Sequence, residues 1–136
     1  MAQTLDQKRA EYAWEQVSQA AQQCIIADYT REAKGAPVLI MGSGLMQTLA
    51  YLRAKDKPQH LALLGHLCRW LGRTLGGTPI INGQYRFPPE QEAVFSTVMA
   101  ALHAAPSSLY LRATEESLAL LRWIRQFADA RKAMEG

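Results

Sequence analysis

Four short clusters of turn-forming residues interrupt a chain otherwise rich in Ala, Leu, Gln and Glu. They are Lys34-Gly35-Ala36-Pro37, Lys55-Asp56-Lys57-Pro58, the stretch from Gly76 to Pro89, and Ala105-Pro106-Ser107-Ser108. Each of the first three ends in a Pro suited to the first turn of a following helix, where its missing N–H costs nothing. The segments between the clusters are made of good helix formers. With 136 residues, 49% hydrophobic and 20% charged, the chain reads as one folded domain over 1–136. It carries no internal repeat and no low-complexity tract. The expected fold is all-α, a compact bundle of about five to six helices with a short β-hairpin around residues 80–87.

The spacing predicts a first helix over about Asp6 to Lys34. Ala10, Ala13, Val17, Ala20, Ala21, Cys24 and Ala27 form a seam of small side chains along it, flanked by Trp14, Ile25 and Tyr29. A second helix, near Pro37 to Ala54, has apolar positions at Val38, Ile40, Met41, Leu45, Leu49 and Leu52. Gly42 and Gly44 inside it call for a packing or bending reason. A third runs from about Pro58 to Leu75, with Leu63, Leu64, Leu67, Trp70 and Leu71 on one arc and His66, Arg69 and Arg73 on the other. Asn82-Gly83 between Ile80-Ile81 and Tyr85-Arg86-Phe87 signals a hairpin. A fourth helix spans about Glu90 to Ala104, and Ser107 to Ala113 makes a short turn. Thr114 then N-caps a last helix to about Met134, with Glu115 and Glu116 as first-turn charges.

Nothing in the sequence assembles an active site. His60, His66 and His103 form neither HExxH nor a zinc spacing with cysteine, so no metal and no cofactor are expected. Ser43 lacks the outer glycines of GxSxG, and Gln47 breaks a GxGxxG beginning at Gly42. Cys24 and Cys68, each in an apolar helical stretch, read as buried reduced thiols. The first twenty residues resemble no signal peptide, and no apolar run approaches the roughly 20 residues that span a bilayer. A cytoplasmic protein without membrane contact is the expectation.

Charge is the informative feature. The net charge of +3 averages over an uneven distribution. Between Arg53 and Arg86 stand Arg53, Lys55, Lys57, Arg69, Arg73 and Arg86 against the single acid Asp56, a segment of +5. Residues 1–52 and 87–136 each carry −1. Two readings fit: a solvated face, or a strip that contacts phosphates without regard to sequence. Tyr85 and Phe87 beside Arg86 fit base stacking or plain loop packing. On the last helix Leu120, Trp123, Ile124 and Phe127 read as core. Arg122 and Arg125 form a weaker patch, with Asp129 placed to pair Arg125. Arg131 lies near the apolar arc. Arg122, Arg125 and Arg131 are candidate partner-binding residues.

Two stretches, Ala36 to Leu52 (APVLIMGSGLMQTLAYL) and Thr114 to Ala128 (TEESLALLRWIRQFA), resemble the small-subunit family of the Cmr complex, the type III-B CRISPR RNA-guided effector. The shared features are Pro with apolar residues, Gly44-Leu45 and Thr48-Leu49-Ala50, then a helix with Trp123 and Phe127-Ala128. The chain departs from the pattern at Ser43, where an amide is usual, and at Gln126, since the base stands one earlier at Arg125. The resemblance implies a helical subunit without enzymatic activity that stacks with copies of itself beside the guide-binding backbone subunit. It also implies contact with guide RNA and target RNA inside the complex. On that reading Arg53, Lys55, Lys57, Arg69 and Arg73, with Arg86, meet target-strand phosphates, while Gly44, Leu45, Thr48, Trp123 and Phe127 carry the fold. The alternative is a helical adaptor whose basic face docks an acidic protein and never touches RNA.

Overall fold

A computed structural model describes residues 2–81 and 85–135. Six helices carry the fold: α1 (Leu5–Gln22), α2 (Ile26–Ser43), α3 (Leu45–Lys55), α4 (Pro58–Leu75), α5 (Phe95–Ala104) and α6 (Ser107–Glu135). Two short strands, β1 (Pro79–Ile81) and β2 (Tyr85–Arg86), pair antiparallel, with Pro79 opposite Arg86 and Ile81 opposite Tyr85. This is the expected all-α fold with its hairpin. The hairpin's Asn82-Gly83 lies outside the described residues.

One apolar core joins the helices. α6 lies along both α1 and α2, and α4 packs against α2, α3, α5 and α6. Leu63, Leu64, Leu67, Trp70 and Leu71 of α4 are buried, as their arc predicts. α4 begins at Pro58 in its first turn and ends at Leu75, before Gly76. Its glycines have a steric purpose. A Cβ on Gly72 would lie 2.6 Å from the Ala93 Cβ and 2.8 Å from the Glu90 Cα. The bare backbone there admits the 3₁₀ turn Glu90–Glu92 against the helix.

The first two helices divide differently from expectation. The continuous helix over 6–34 breaks at residues 23–25, where Cys24 adopts φ 62°. The Ile25 N–H donates to the Ala20 carbonyl and the Cys24 N–H to the Ala21 carbonyl, both at 3.1 Å. That is a Schellman stop with Cys in the position glycine ordinarily holds. Cys24 is therefore exposed rather than buried, and the small-residue seam ends at Ala20.

The expected break at residues 34–37 does not form. α2 runs through Pro37, and burial of Ala33, Ala36 and Ile40 on one face outweighs the hydrogen bond that Pro37 cannot donate. The chain turns instead at Gly44, whose φ of 90° is open mainly to glycine. Carrying α2 on in phase turns Val38 and Met41 outward, 72% and 79% exposed, so neither is a core position. Leu45, Leu49 and Leu52 of α3 are buried. The Tyr110 hydroxyl on α6 accepts from the Met46 N–H at 3.2 Å, tying down the first turn of α3.

The last two expected helices also shift. The predicted helix over 90–104 is the 3₁₀ turn followed by α5. Residues 107–135 form one helix, so Thr114 caps nothing. Its hydroxyl donates back to the Tyr110 carbonyl at 3.0 Å. Glu116 is no first-turn charge; it is half-buried at the junction of three helices. Its carboxylate accepts from Arg9 Nε at 2.6 Å, Arg9 Nη2 at 3.0 Å and Trp70 Nε1 at 2.8 Å.

Candidate nucleic-acid interface

The α3–α4 turn gathers three of the predicted cations. Arg53 and Lys55 occupy the last turn of α3, Asp56 reverses the chain in the left-handed region at φ 57°, and Lys57 is the N-cap of α4. All three cations are exposed. Arg53 Nη1 sits 3.0 Å from Asp56 Oδ1, an exposed pair of the kind worth little. The Lys55 ammonium lies 5.4 Å from the centre of the Tyr51 ring.

Arg69, three turns along α4, is half-buried and makes no ion pair among the described residues. Its guanidinium lies over Gly65, 3.0 Å from where a Cβ would be. Arg69 and Arg53 line one depression of about 380 Å³ between α4 and the start of α5. Cys68 is also on that wall. Burial pushes its thiol up to about 12, so it stays protonated and is no nucleophile at neutral pH.

Arg73 and Arg86 do not join this group. Arg73 donates through Nε and Nη2 to the two carboxylate oxygens of Glu90, at 3.0 and 2.8 Å, and its guanidinium stacks 4.8 Å from the Tyr12 ring centre. The Glu90 hydrogen bonds hold Arg73 more firmly protonated, and the same bonds hold the Glu90 carboxyl below its ordinary range. Arg73 faces a separate cavity of about 830 Å³ that also holds Lys8, Arg9 and Arg112 with Glu11, Glu115 and Glu116. The third predicted helix therefore does have an acid beside its bases, supplied from 17 positions downstream. Arg86 donates to the Gly77 carbonyl at 2.7 Å. Phe87 beside it is buried and so unable to stack on a base, while Tyr85 is exposed.

His66 leaves the polar arc altogether. It is buried, with Nδ1 2.8 Å from the Tyr29 hydroxyl. Burial, helped by the charge of Arg69, pushes it down to about 3, so it is neutral at physiological pH and adds no charge to the strip. Burial likewise pushes the Tyr29 phenol up, and Tyr12, whose hydroxyl donates to the His66 carbonyl at 2.7 Å, up to about 12.

On α6, Arg122 and Arg125 are exposed. Asp129 does not pair with Arg125; it meets Lys34 of α2 at 2.9 Å. Arg131 lies 5.9 Å from the Trp14 ring centre, over a half-buried cluster in which Trp14 and Trp123 each contact Phe127 at 5.4 Å. Leu120 and Ile124 are fully buried, as predicted, whereas Trp123 and Phe127 are only partly so. Phe95 and Ser96 also border the Arg53–Arg69 depression, and sequence reasoning missed them because no charge or spacing sets them apart.

Among the described residues no three His, Cys, Asp or Glu side chains cluster closely enough to hold a metal ion, and no helix is long and apolar enough to cross a membrane. What the surface offers is a cluster of cations around α3 and α4 able to meet an anionic polymer. A family model described as CRISPR-associated protein (Cas_Cmr5) matches residues 5–131. The chain is 32% identical over 127 residues to the CRISPR system Cmr subunit Cmr5 of Thermus thermophilus, covering 93% of this chain and 95% of that relative. A crystal structure of a CRISPR-associated Cmr5 family protein from the same organism matches with a TM-score of 0.74 at 29% identity, over 95% of this chain and 97% of that one.

Proposed function

The chain belongs to the Cmr5 family of CRISPR-associated proteins, and from that premise we propose that it is the non-catalytic small subunit of a type III-B Cmr effector. In this reading it stacks with copies of itself beside the guide-binding backbone subunit, in the cytoplasm. It helps hold single-stranded target RNA against the guide. Arg53, Lys55, Lys57 and Arg69 make the first contacts with target phosphates, with Arg73 and Arg86 at the edges of the strip. Arg122, Arg125 and Arg131 face a partner subunit.

The observation that carries the RNA reading is the cation cluster around α3 and α4. Among the described residues, Arg53 meets only the exposed carboxylate of Asp56, and Arg69 pairs with no acid. Contacts of this kind with phosphates are sequence-blind and weaken as salt rises. Outward-facing Val38 and Met41 on α2, with Leu111 on α6, support burial against another subunit.

The test is capture of single-stranded target RNA by the assembled complex across a salt series. Replacing Arg53 and Arg69 together with Glu is expected to weaken capture while the complex still assembles. Unchanged capture would refute the phosphate role of this face. Crosslinks from Lys55 or Lys57 to RNA are expected; crosslinks to protein alone would favour the adaptor reading.

A further inference from the structure

The depression between α4 and α5 has a make-up that the rest of the basic surface lacks. Two cationic residues, Arg53 and Arg69, line it, and no carboxylate-bearing residue does. The rest of its lining is mostly apolar, with Leu61, Leu64, Val94 and Phe95, and Ser96 adds a hydroxyl-bearing residue. Its volume of about 380 Å³ falls at the small end of the roughly 300–1,000 Å³ typical of small-molecule pockets.

A pocket meant only for phosphate needs no apolar lining, and one meant only for an apolar side chain gains nothing from two cations. A nucleotide requires both: charge-assisted hydrogen bonds to its phosphate and a flat apolar surface for its base. The α5 end agrees in sign. Val94 gives the helix no side-chain cap, and the amides of Phe95, Ser96 and Thr97 precede its first backbone hydrogen bond, from the Val98 N–H to the Val94 carbonyl at 2.9 Å. Gly65 completes the arrangement by leaving room for the Arg69 guanidinium to lie across α4. Asp56 holds Arg53 only through an exposed contact, from which a phosphate can draw it.

We infer that this depression is a subsite for one nucleotide of single-stranded RNA, its phosphate between Arg53 and Arg69 and its base against Leu61, Leu64 and Phe95. The inference rests on the RNA reading above and adds a defined place where one base leaves the solvent. Lys55 and Lys57, outside the depression, touch only the backbone of the strand.

The test follows backbone amide and arginine Nε–H signals of the full chain by nuclear magnetic resonance during titration. The probes are inorganic phosphate, uridine 5′-monophosphate and hexauridylate RNA. The mononucleotide is expected to move the Phe95, Ser96 and Arg69 signals saturably, and far more than phosphate does. The RNA is expected to move the same signals together with Lys55 and Lys57. Arg69→Gln is expected to weaken the RNA effect at Ser96 by about tenfold, the loss of one charge-assisted contact, while Arg31→Gln on α2 leaves it unchanged. Equal responses to phosphate and nucleotide would reduce the depression to an anion site and overturn the inference. So would a response to the mononucleotide that RNA does not reproduce. RNA that moves Lys55 and Lys57 but not Ser96 would overturn the subsite and leave the backbone-contacting strip standing. RNA that moves none of these signals would refute the subsite and the RNA reading together.

Discussion

Glu116 shows how much one side chain can hold. Its carboxylate joins α1 through Arg9 and α4 through Trp70, from a position on α6. Burial alone would raise its pKa, but the hydrogen bonds from Arg9 and Trp70 outweigh that and hold the carboxyl below its ordinary value of 4.5. A group whose folded value is depressed stabilises the fold fully above its unfolded value. That contribution is lost as pH falls through the folded value. Glu116→Gln keeps the shape but removes the charge that Arg9 faces. The expected cost is about 1.5–3 kcal/mol at pH 7, the worth of a hydrogen bond to a charged group. Urea denaturation at a series of pH values checks both size and sign. The gap between the two proteins should be full at pH 7 and narrow on acidification below about pH 4.5. A gap that does not change with pH would mean that the carboxylate's charge is not what holds the junction.

The junctions between helices are where single residues decide the element. Gly44 sits at φ 90° and ψ 162°, a conformation open mainly to glycine and costing another residue roughly 1–3 kcal/mol. A Cβ there would meet only the Tyr110 hydroxyl, at 3.5 Å, which is ordinary contact, so the cost of Gly44→Ala is one of backbone conformation. The variant should lose about 1–3 kcal/mol in chemical denaturation and keep its helical content by circular dichroism; an unchanged midpoint would show that the α2–α3 joint has another way to turn. This joint also marks what could be read in the sequence and what could not. The ends of α4 were legible because Pro58 and Gly76 bracket a clear apolar arc, but the opposite arc was not wholly outward: Arg69 is half-buried and His66 is buried. The end of α1 was not, because Cys24 does a job usually signalled by glycine. Pro37 pointed to a helix start, yet tertiary burial of Ala33, Ala36 and Ile40 carried α2 straight through it. The cations of the site were legible as a local excess of charge. Their pairing was not, since Glu90 reaches Arg73 across 17 positions and Glu116 reaches Arg9 across 107.

Across the whole molecule ion pairs take up cations in the flanks and in the central segment alike. In the flanks, Arg9 is held by Glu116, Arg31 by Asp28 and Lys34 by Asp129. In the central segment Lys55, Lys57 and Arg69 have no such partner among the described residues, and Arg73 is the one cation there with a bidentate acid. Glu90 therefore acts as a brake on the strip: it neutralises Arg73 and adds a negative charge next to the surface where RNA phosphates are proposed to lie. Removing it separates two possibilities for Arg73. Glu90→Gln raises the net charge of the chain by one and takes the carboxylate away from Arg73, leaving a neutral amide oxygen and the Tyr12 ring, 4.8 Å from its guanidinium. The lost pair is largely exposed, so the cost in stability should stay below about 1 kcal/mol. If Arg73 lies within reach of the strand, the freed guanidinium adds one phosphate contact. Affinity for single-stranded RNA then rises, and the slope of log affinity against log salt steepens by about 0.7. Anisotropy of a labelled oligoribonucleotide over a salt series measures both. Tighter binding with an unchanged slope would mean that only the long-range field has changed. The strip would then end at Arg69, with Arg73 retained for its packing on Tyr12.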